Sequence, residues 1–237
     1  MNGFGKIQHM LARRAVRKHF ACVRCAGLEN LRALPAGQAW VLCPVHTSWW
    51  DGFFAACLMP SLPGRELRIV QEAQHLRKYP WFHHAGVLGL DATSVGKLRQ
   101  GLRQLRHVLE NPATIMVYFP QGKLVLQDGG PIRIKRGIGQ IVQSATIPVV
   151  PIVWRHGLRE GVRPDVWMRI GRPIYAVHDP LTESLENDLQ ALDQQVAADW
   201  AMSAESAYQP LWHPALPIHE VWWQIAKKSG LATRFRG

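Results

Sequence analysis

Short apolar runs alternate along the chain with longer segments whose apolar residues recur every three or four positions. The runs predict buried strands at residues 40–45, 67–70, 86–90, 114–119, 147–153 and 166–170. The longer segments predict helices at residues 49–59, 72–79, 94–110, 134–145 and 182–200. Because strands that alternate with helices are typical of an α/β fold, we predict a central, largely parallel sheet flanked by helices.

The two ends of the chain differ from this central pattern. Residues 1–30 predict a basic amphipathic helix, which suits either an anionic membrane surface or ordinary packing with a solvated basic face. Residues 31–200 have the length of one α/β domain. Residues 201–237 form a C-terminal extension that is either a second membrane contact or a packed tail. The N-terminal pattern rests on Ile7, Met10, Leu11, Val16 and Phe20 among Lys6, Arg13, Arg14, Arg17 and Lys18.

Basic residues dominate the charged positions. Lys and Arg number 28 against 17 Asp and Glu, which gives a formal net charge of +11. This excess favours a polyanionic neighbour: nucleic acid, an anionic membrane or a phosphate-bearing substrate. The 10 tryptophans, including the pairs Trp49-Trp50 and Trp222-Trp223, favour a lipid interface. Because basic and aromatic residues do not interleave on one face and no nucleic-acid-binding motif is found, no nucleic acid is expected as a partner.

The cysteines favour neither a metal site nor a redox centre. Cys22 and Cys25 form a Cys-x-x-Cys, but neither Cys43 and Cys57 nor a histidine pair stands at zinc-ligand spacing, so no metal is expected. Cys22 and Cys25 also fall in the predicted basic helical stretch, away from a strand-to-helix turn of the thioredoxin kind. Reduced cytosolic thiols fit best.

Neither a transmembrane segment nor a signal peptide is predicted. No charge-free apolar run reaches about 18 residues, and the start of the sequence lacks the apolar core of a signal peptide. We therefore expect a cytoplasmic protein that associates peripherally with the inner face of the membrane.

Two short sequence motifs contain residues that are candidates for a functional site: HTSWWD, from His46 to Asp51, and FPQG, around Gln121. In a regular helix a separation of five residues would point two side chains about 140° apart. With His46 at the end of a strand and Asp51 in the first helical turn, the carboxylate can fold back onto one imidazole nitrogen and leave the other to accept a proton. His46 and Gln121 both follow strands, and ligands of open α/β sheets bind outside the carboxyl ends of the strands. Without that second motif, His46 would be interpreted as a structural histidine beside a helix cap.

The order and spacing of these motifs resemble the glycerolipid acyltransferase family, which includes lysophosphatidate acyltransferases. HTSWWD and FPQG are followed by the KRG of residues 135–137 and the IPVVPI of residues 147–152, and the similarity spans residues 41–174. The segment LRKYPWFHHAGVLGLD also matches the region between the family's motifs. The resemblance implies transfer of a fatty-acyl group from acyl-CoA or acyl-carrier protein to a hydroxyl of a lysophospholipid or related lipid at a membrane surface. It implies an acyl donor thioester and a lipid hydroxyl acceptor as partners, with no cofactor.

The same resemblance assigns roles to residues. His46 would be the general base and Asp51 its partner. The acceptor-binding and oxyanion region would contain Phe119, Pro120, Gln121 and Gly122, with Lys123, Lys135 and Arg136 close by. Backbone amides near Gly122 are candidate oxyanion donors because glycine permits close approach. The candidates for an acyl-chain groove are Trp49, Trp50, Phe53 and Phe54.

Two departures from the family pattern concern the acceptor. Gln121 stands where the family usually has Glu, and Ala92 follows Asp91 where the family usually has an Arg for the acceptor phosphate. Arginine binds phosphate bidentately and alanine cannot. Either another basic residue takes over, or the acceptor carries no phosphate. The candidates for such a replacement are Lys123, Arg133, Lys135 and Arg136.

Three other functions stay open at this point. A hydrolase or transacylase can be built on the same residues, although no Gly-x-Ser-x-Gly elbow is present. Gln121 also raises the possibility of a lipid-binding relative with weakened catalysis. A basic nucleic-acid-binding protein is the third, and only the net charge favours it.

Overall fold

The computed structural model describes residues 3–79, 86–126, 130–142, 146–159, 161–175 and 181–212. Within these ranges the strands are β1 (Val23–Ala26), β2 (Trp40–Pro44), β3 (Glu66–Glu72), β4 (Val87–Leu90), β5 (Thr114–Val117), β6 (Val149–Gly157), β7 (Asp165–Ile170) and β8 (Gln209–Pro210). The helices are α1 (Gly3–His19), α2 (Leu28–Arg32), α3 (Asp51–Ala56), α4 (Ala73–Lys78), α5 (Val95–Val108), α6 (Gly137–Ile141) and α7 (Leu181–Ala201).

These strands form a single sheet in the order β4-β3-β5-β2-β6-β7-β1-β8. The five strands from β4 to β6 are parallel to their neighbours, whereas β7 is antiparallel to β6. Two of the apolar runs that predict strands are buried on both faces, since every residue of β2 and β5 is buried. The predicted α/β fold with a largely parallel sheet is confirmed.

Helices cover both faces of the sheet. Successive side chains of a strand point to opposite faces of the sheet. Two consecutive residues of β6 therefore show which helix covers each face. Trp154 packs against Phe54 of α3, with ring centroids 5.8 Å apart. The next residue, Arg155, reaches Asp193 of α7. α3 therefore lies on one face, where α1 packs against it, and α7 lies on the other.

The N-terminal segment departs from its prediction. The basic helix ends at His19 and not near residue 30, and Val23–Ala26 forms a strand that pairs in parallel with β7. Cys22 and Cys25, predicted in a helical stretch, are instead buried beside or within this strand. The packing of Val23 and Cys25 against the sheet overrides the helical signal of the preceding basic residues. The division of the chain at residues 30 and 200 stays a prediction.

Helix α6 is shorter than the predicted span of residues 134–145. The Lys135 N–H donates to the Pro120 carbonyl oxygen at 2.8 Å, and the Ile134 N–H donates to the Glu186 carboxylate at 2.9 Å. These tertiary hydrogen bonds hold the backbone of residues 134 and 135 against the turn after β5 and against α7. The helix therefore begins only at Gly137.

No helix in the described ranges is long and apolar enough to cross a membrane. The C-terminal extension is described only as far as residue 212, where β8 pairs with β1. The choice between a membrane contact and a packed tail falls on residues outside the described part.

Candidate active site

The two candidate motifs meet at the carboxyl edge of the parallel strands. β2 lies between β5 and β6 in the sheet. His46 follows β2, the FPQG turn follows β5, and the end of β6 extends beyond both. Their shared strand direction brings these three chain segments together, as expected for a ligand crevice at this edge.

His46 and Asp51 are in direct contact. The His46 Nδ1 lies 2.8 Å from the Asp51 Oδ2, and the Asp51 side chain is fully buried in the first turn of α3. The same Oδ2 accepts the N–H groups of Thr47 at 2.7 Å and Ser48 at 3.0 Å. Three donors thus converge on one carboxylate oxygen, which closes the loop between β2 and α3. The carboxylate can hold the Nδ1 proton and leave the His46 Nε2 as the acceptor.

Phe119 covers one face of the His46 imidazole. Its ring stacks on that of His46, with centroids 4.4 Å apart and planes inclined by 30°. The His46 side chain is 28% exposed. No hydrogen bond to its Nε2 involves a residue that the structure describes, so this nitrogen is available to a substrate.

The turn after β5 also holds the backbone of His46. The Gln121 Oε1 accepts the His46 N–H at 2.6 Å, and the Val125 N–H donates to the His46 carbonyl oxygen at 2.8 Å. Gln121 is buried. Its side-chain oxygen therefore positions the loop that carries His46. The glutamate that is usual in the family would present the same kind of acceptor oxygen.

Gly122 and Lys135 shape the rest of this turn. Gly122 has φ +64°, and its N–H donates to the Phe119 carbonyl oxygen at 3.1 Å. This amide closes the turn, so of the amides near Gly122 that the sequence suggests as oxyanion donors, that of Gly122 itself is already engaged. A side chain at position 122 would meet the Lys135 Nζ at 2.8 Å, because the Lys135 side chain crosses the glycine. Glycine thus lets an ammonium group approach the turn.

The remaining basic candidates are distributed unevenly. Lys123 and Arg136 are exposed. Arg133 pairs with Glu186 at 2.7 Å, and that contact, after the Ile134 N–H, lowers the pKa of the Glu186 carboxyl. Of the four residues proposed to replace the family arginine, Lys135 is the one whose ammonium group the structure places against the FPQG turn.

The loop after β4, where the family arginine is missing, is locally satisfied. Asp91 accepts the N–H and the hydroxyl of Thr93 at 2.9 and 2.5 Å and lies 3.4 Å from the Lys97 Nζ. The Thr93 hydrogen bonds lower the pKa of the Asp91 carboxyl to about 2. Ala92 is exposed between these residues and offers no group that can bind an anion.

The aromatic residues proposed for an acyl groove separate into two kinds. Phe54 is fully buried against Trp154 and Phe20, so it is a core residue. Trp50 and Phe53 are half-buried, whereas Trp49 is 58% exposed at the carboxyl edge of the parallel strands. Trp49 is the one of the four that presents a large apolar surface to a ligand or membrane.

A cavity on the other side of His46 was missed by the sequence analysis. It has a volume of about 350 Å³ and is lined by Thr47, Leu126, Arg155, His156, Gly157, Leu158 and Trp200. Burial lowers the pKa of His156, while the carboxylate of Asp51 acts in the opposite direction. The edge rule applied to the residues just after the predicted strand at 147–153 would have drawn attention to Arg155 and His156.

The cysteines take no part in this site as nucleophiles. All four are buried. Burial raises the pKa of the Cys22 thiol to about 11 and that of Cys57 to about 12, so both are protonated at neutral pH. In the described ranges no group of three or more metal-ligating side chains is found.

Comparison with known proteins agrees with the motifs. The 1-acyl-sn-glycerophosphate acyltransferase PlsC from Thermotoga maritima has a similar structure, with a TM-score of 0.61 and 19% sequence identity over 82% of this chain and 80% of that one. A search of curated proteins found no match. A family model described as Acyltransferase matches residues 22–155. This match covers more than half of the chain, including HTSWWD and FPQG, so the chain belongs to the acyltransferase family, as the resemblance to glycerolipid acyltransferases predicted.

Proposed function

We propose that this protein transfers a fatty-acyl group from a thioester donor, acyl-CoA or acyl-carrier protein, to a hydroxyl of a lysophospholipid or related lipid. The observation that carries the proposal is the His46–Asp51 pair at the carboxyl edge, with Nδ1 held and Nε2 available. A histidine in this state is a general base with an orienting carboxylate.

The proposed reaction needs one proton acceptor and one stabilised oxyanion. The His46 Nε2 removes the proton of the acceptor hydroxyl as its oxygen attacks the thioester carbonyl carbon. The tetrahedral intermediate collapses, the C–S bond breaks, and the imidazolium returns its proton to the leaving thiolate. The buried Asp51 carboxylate stabilises the imidazolium between these steps.

We assign the developing oxyanion to the Lys135 side of the site. The Gly122 amide is engaged within its own turn, whereas the Lys135 ammonium lies across that turn. The Lys135 side chain is exposed, and a cation that lies where negative charge develops stabilises the transition state more than the ground state.

The exposed surface supports action at a membrane. Exposed Met10 and Leu11 on α1 lie close in sequence to Arg14, Arg17 and Lys18, which are also exposed. Exposed apolar side chains also follow the strands at the catalytic edge, at Trp49, Leu126 and Leu158. Apolar side chains that insert and cations that attract anionic lipid are the two contributions to peripheral binding. We propose peripheral association with the inner face of the membrane on these grounds.

The direct test of the function is product analysis with a labelled acyl donor. Incubation with acyl-CoA or acyl-carrier-protein donor and a lysophospholipid is expected to give labelled diacyl lipid and one free thiol per ester formed. Free fatty acid as the main product would indicate a hydrolase. Label that moves only from a second lipid would indicate a transacylase, and binding without turnover would indicate a lipid-binding relative.

The role assigned to Gln121 predicts a contrast between two substitutions. Gln121→Glu retains an acceptor oxygen and is expected to keep kcat within about threefold. Gln121→Met leaves the His46 N–H without its acceptor, and an unsatisfied buried donor costs about 1–3 kcal/mol. We expect kcat to fall about tenfold or more with little change in the acceptor KM. If Gln121→Met instead raises the acceptor KM and leaves kcat intact, Gln121 contacts the acceptor.

Membrane binding is expected to depend on α1. The protein should sediment with anionic vesicles and be partly released by salt, because salt screens the attraction between α1 and anionic lipid. The double substitution Met10→Ser and Leu11→Ser should weaken partitioning about 30-fold, since each inserted side chain contributes of the order of 1 kcal/mol. The matched control is Val95→Ser with Met202→Ser, two other exposed apolar positions. Equal losses for both pairs, or no sedimentation of the wild type, would exclude α1 as the contact.

A further inference from the structure

We propose that the cavity lined by Thr47, Arg155 and His156 binds the phosphate-bearing head group of the acyl acceptor, with Arg155 as its cationic anchor. This inference rests on the acyl transfer proposed above and assigns a position to one substrate group. We call this cavity the β6 cavity.

The β6 cavity borders the loop that carries His46, because Thr47 is one of its lining residues. The register pairs Pro44 of β2 with Ile152 of β6, so residues 153–157 extend beyond the last paired residue of β2 towards the catalytic edge. His46 therefore lies between the FPQG turn on the β5 side and the β6 cavity on the other. Thr47, which lines the cavity, shares the Asp51 Oδ2 with the His46 ring. A head group in this cavity would therefore lie next to the loop that carries His46.

Two polar groups of the lining are left over by the protein itself. The Thr47 Oγ1 and the Arg155 Nε are both buried, and neither has a hydrogen-bond partner among the described residues. Buried polar groups are nearly always paired with protein or water. Both atoms are closed off from solvent, so a ligand would reach Arg155 through its terminal guanidinium nitrogens, and the Arg155 side chain is 21% exposed.

Arg155 is held but not fully neutralised. Asp193 of α7 faces it, with 3.7 Å between the Arg155 NH2 and the Asp193 Oδ1, which is longer than a hydrogen bond. Asp193 thus anchors the guanidinium from the α7 side of the sheet. The rest of the guanidinium fork is suited to a phosphate, which it can bind in a bidentate manner.

The distribution of polar and apolar groups matches an amphipathic ligand. Thr47, Arg155 and His156 are half-buried, whereas Leu126 and Leu158 on the same cavity are 77% and 67% exposed. A lysolipid can place its head group among the half-buried polar side chains while its acyl chain leaves across the exposed leucines. The volume of about 350 Å³ falls within the range of about 300–1,000 Å³ that is usual for ligand pockets.

This location also accounts for Ala92. The loop after β4 offers no arginine, and its Asp91 is bound to Thr93 and Lys97. In this chain the cation for the head group is instead supplied by the last part of β6, which is the other neighbour of β2. The phosphate is therefore expected on the opposite side of His46 from the position of the family arginine.

A binding measurement tests the cavity without catalysis. Glycerol 3-phosphate and glycerol are titrated into wild type, Arg155→Gln, Arg155→Lys and Arg103→Gln, followed by the NMR signals of the histidine rings. The wild type should bind glycerol 3-phosphate more tightly than glycerol. Arg155→Gln should weaken this binding about 10- to 100-fold, as expected for loss of charge-assisted hydrogen bonds, and Arg155→Lys should recover part of it. Arg103 is exposed on α5, and Arg103→Gln should change nothing.

A kinetic comparison separates this inference from the function itself. With one acyl donor, Arg155→Gln should raise the KM for lysophosphatidate about 10-fold or more and leave the KM for monoacylglycerol and for the donor unchanged. A raised donor KM would place the donor in the cavity, and equal losses on both acceptors would make Arg155 structural. Either of these two results would overturn the placement of the phosphate at Arg155, and so would equal binding of glycerol 3-phosphate by wild type and Arg155→Gln. In each case acyl transfer that depends on His46 would persist. Absence of transfer with intact Arg155-dependent binding would instead overturn the proposed function alone.

Discussion

Replacing His46 with alanine is expected to lower the rate of acyl transfer by about 10²- to 10⁴-fold, the usual contribution of a positioned general base. The substitution removes the Nε2 that accepts the hydroxyl proton and leaves the Asp51 Oδ2 with its two backbone donors. The loop between β2 and α3 should therefore keep its course. The loss should appear in kcat, measured as thiol released from a saturating donor.

Two further variants distinguish catalysis from folding. His46→Gln retains a side chain that can donate to Asp51 but cannot take up a proton, so it should be as inactive as His46→Ala while unfolding at nearly the wild-type temperature. The matched control is His107→Ala, a histidine whose side chain is 80% exposed on α5 and pairs with Glu110. It should retain full activity. Transfer that persists in His46→Ala and His46→Gln would rule out the proposed mechanism.

The central strands and the contact between His46 and Asp51 could be predicted because their causes are local. Strands β2 and β5 are short apolar runs buried on both faces, which is the pattern of a parallel sheet. The separation of five residues brings His46 to Asp51 once a strand ends at the first and a helix begins at the second. Both features need only a few neighbouring residues.

What the sequence could not show depends on distant partners. The Gln121 side chain finds the His46 N–H across 75 positions of the chain, and no local pattern indicates that pairing. Strand β1 has only four residues, and basic residues precede it, so its burial against β7 is decided by tertiary packing. The sequence likewise suggested amides near Gly122 as oxyanion donors, and only the structure shows that the amide of Gly122 itself is engaged within its turn.

The β6 cavity shows the same limit in the placement of strand ends. The predicted strand stops at residue 153, whereas β6 continues to Gly157 because residues 152–157 pair with β7. That extension carries Arg155 and His156 past the end of β2. Strand boundaries are set by the partner strand, so a residue that a pattern leaves in a loop can belong to the edge of the site.

Substitution of Asp51 is also expected to lower kcat strongly, and the size of the loss should depend on the residue that replaces it. In Asp51→Asn the amide oxygen can take the place of Oδ2 and still accept from His46, Thr47 and Ser48. The amide NH2 would then occupy the position of Oδ1, which is buried without a partner in the described ranges. This arrangement keeps the loop and the imidazole tautomer but removes the charge that stabilises the imidazolium.

A hydrogen bond to a charged group contributes about 1.5–3 kcal/mol. Asp51→Asn should therefore lower kcat about 10- to 100-fold, at about 1.4 kcal/mol for each factor of ten. Asp51→Ala removes the acceptor of all three donors at once, so its kcat should approach that of His46→Ala, and its free energy of unfolding should fall by several kcal/mol. Measuring kcat and denaturant unfolding on both variants tests the two contributions separately. An Asp51→Asn enzyme as active as wild type would show that the carboxylate only shapes the loop. Losses as large as those of Asp51→Ala would show that the charge accounts for nearly the whole effect.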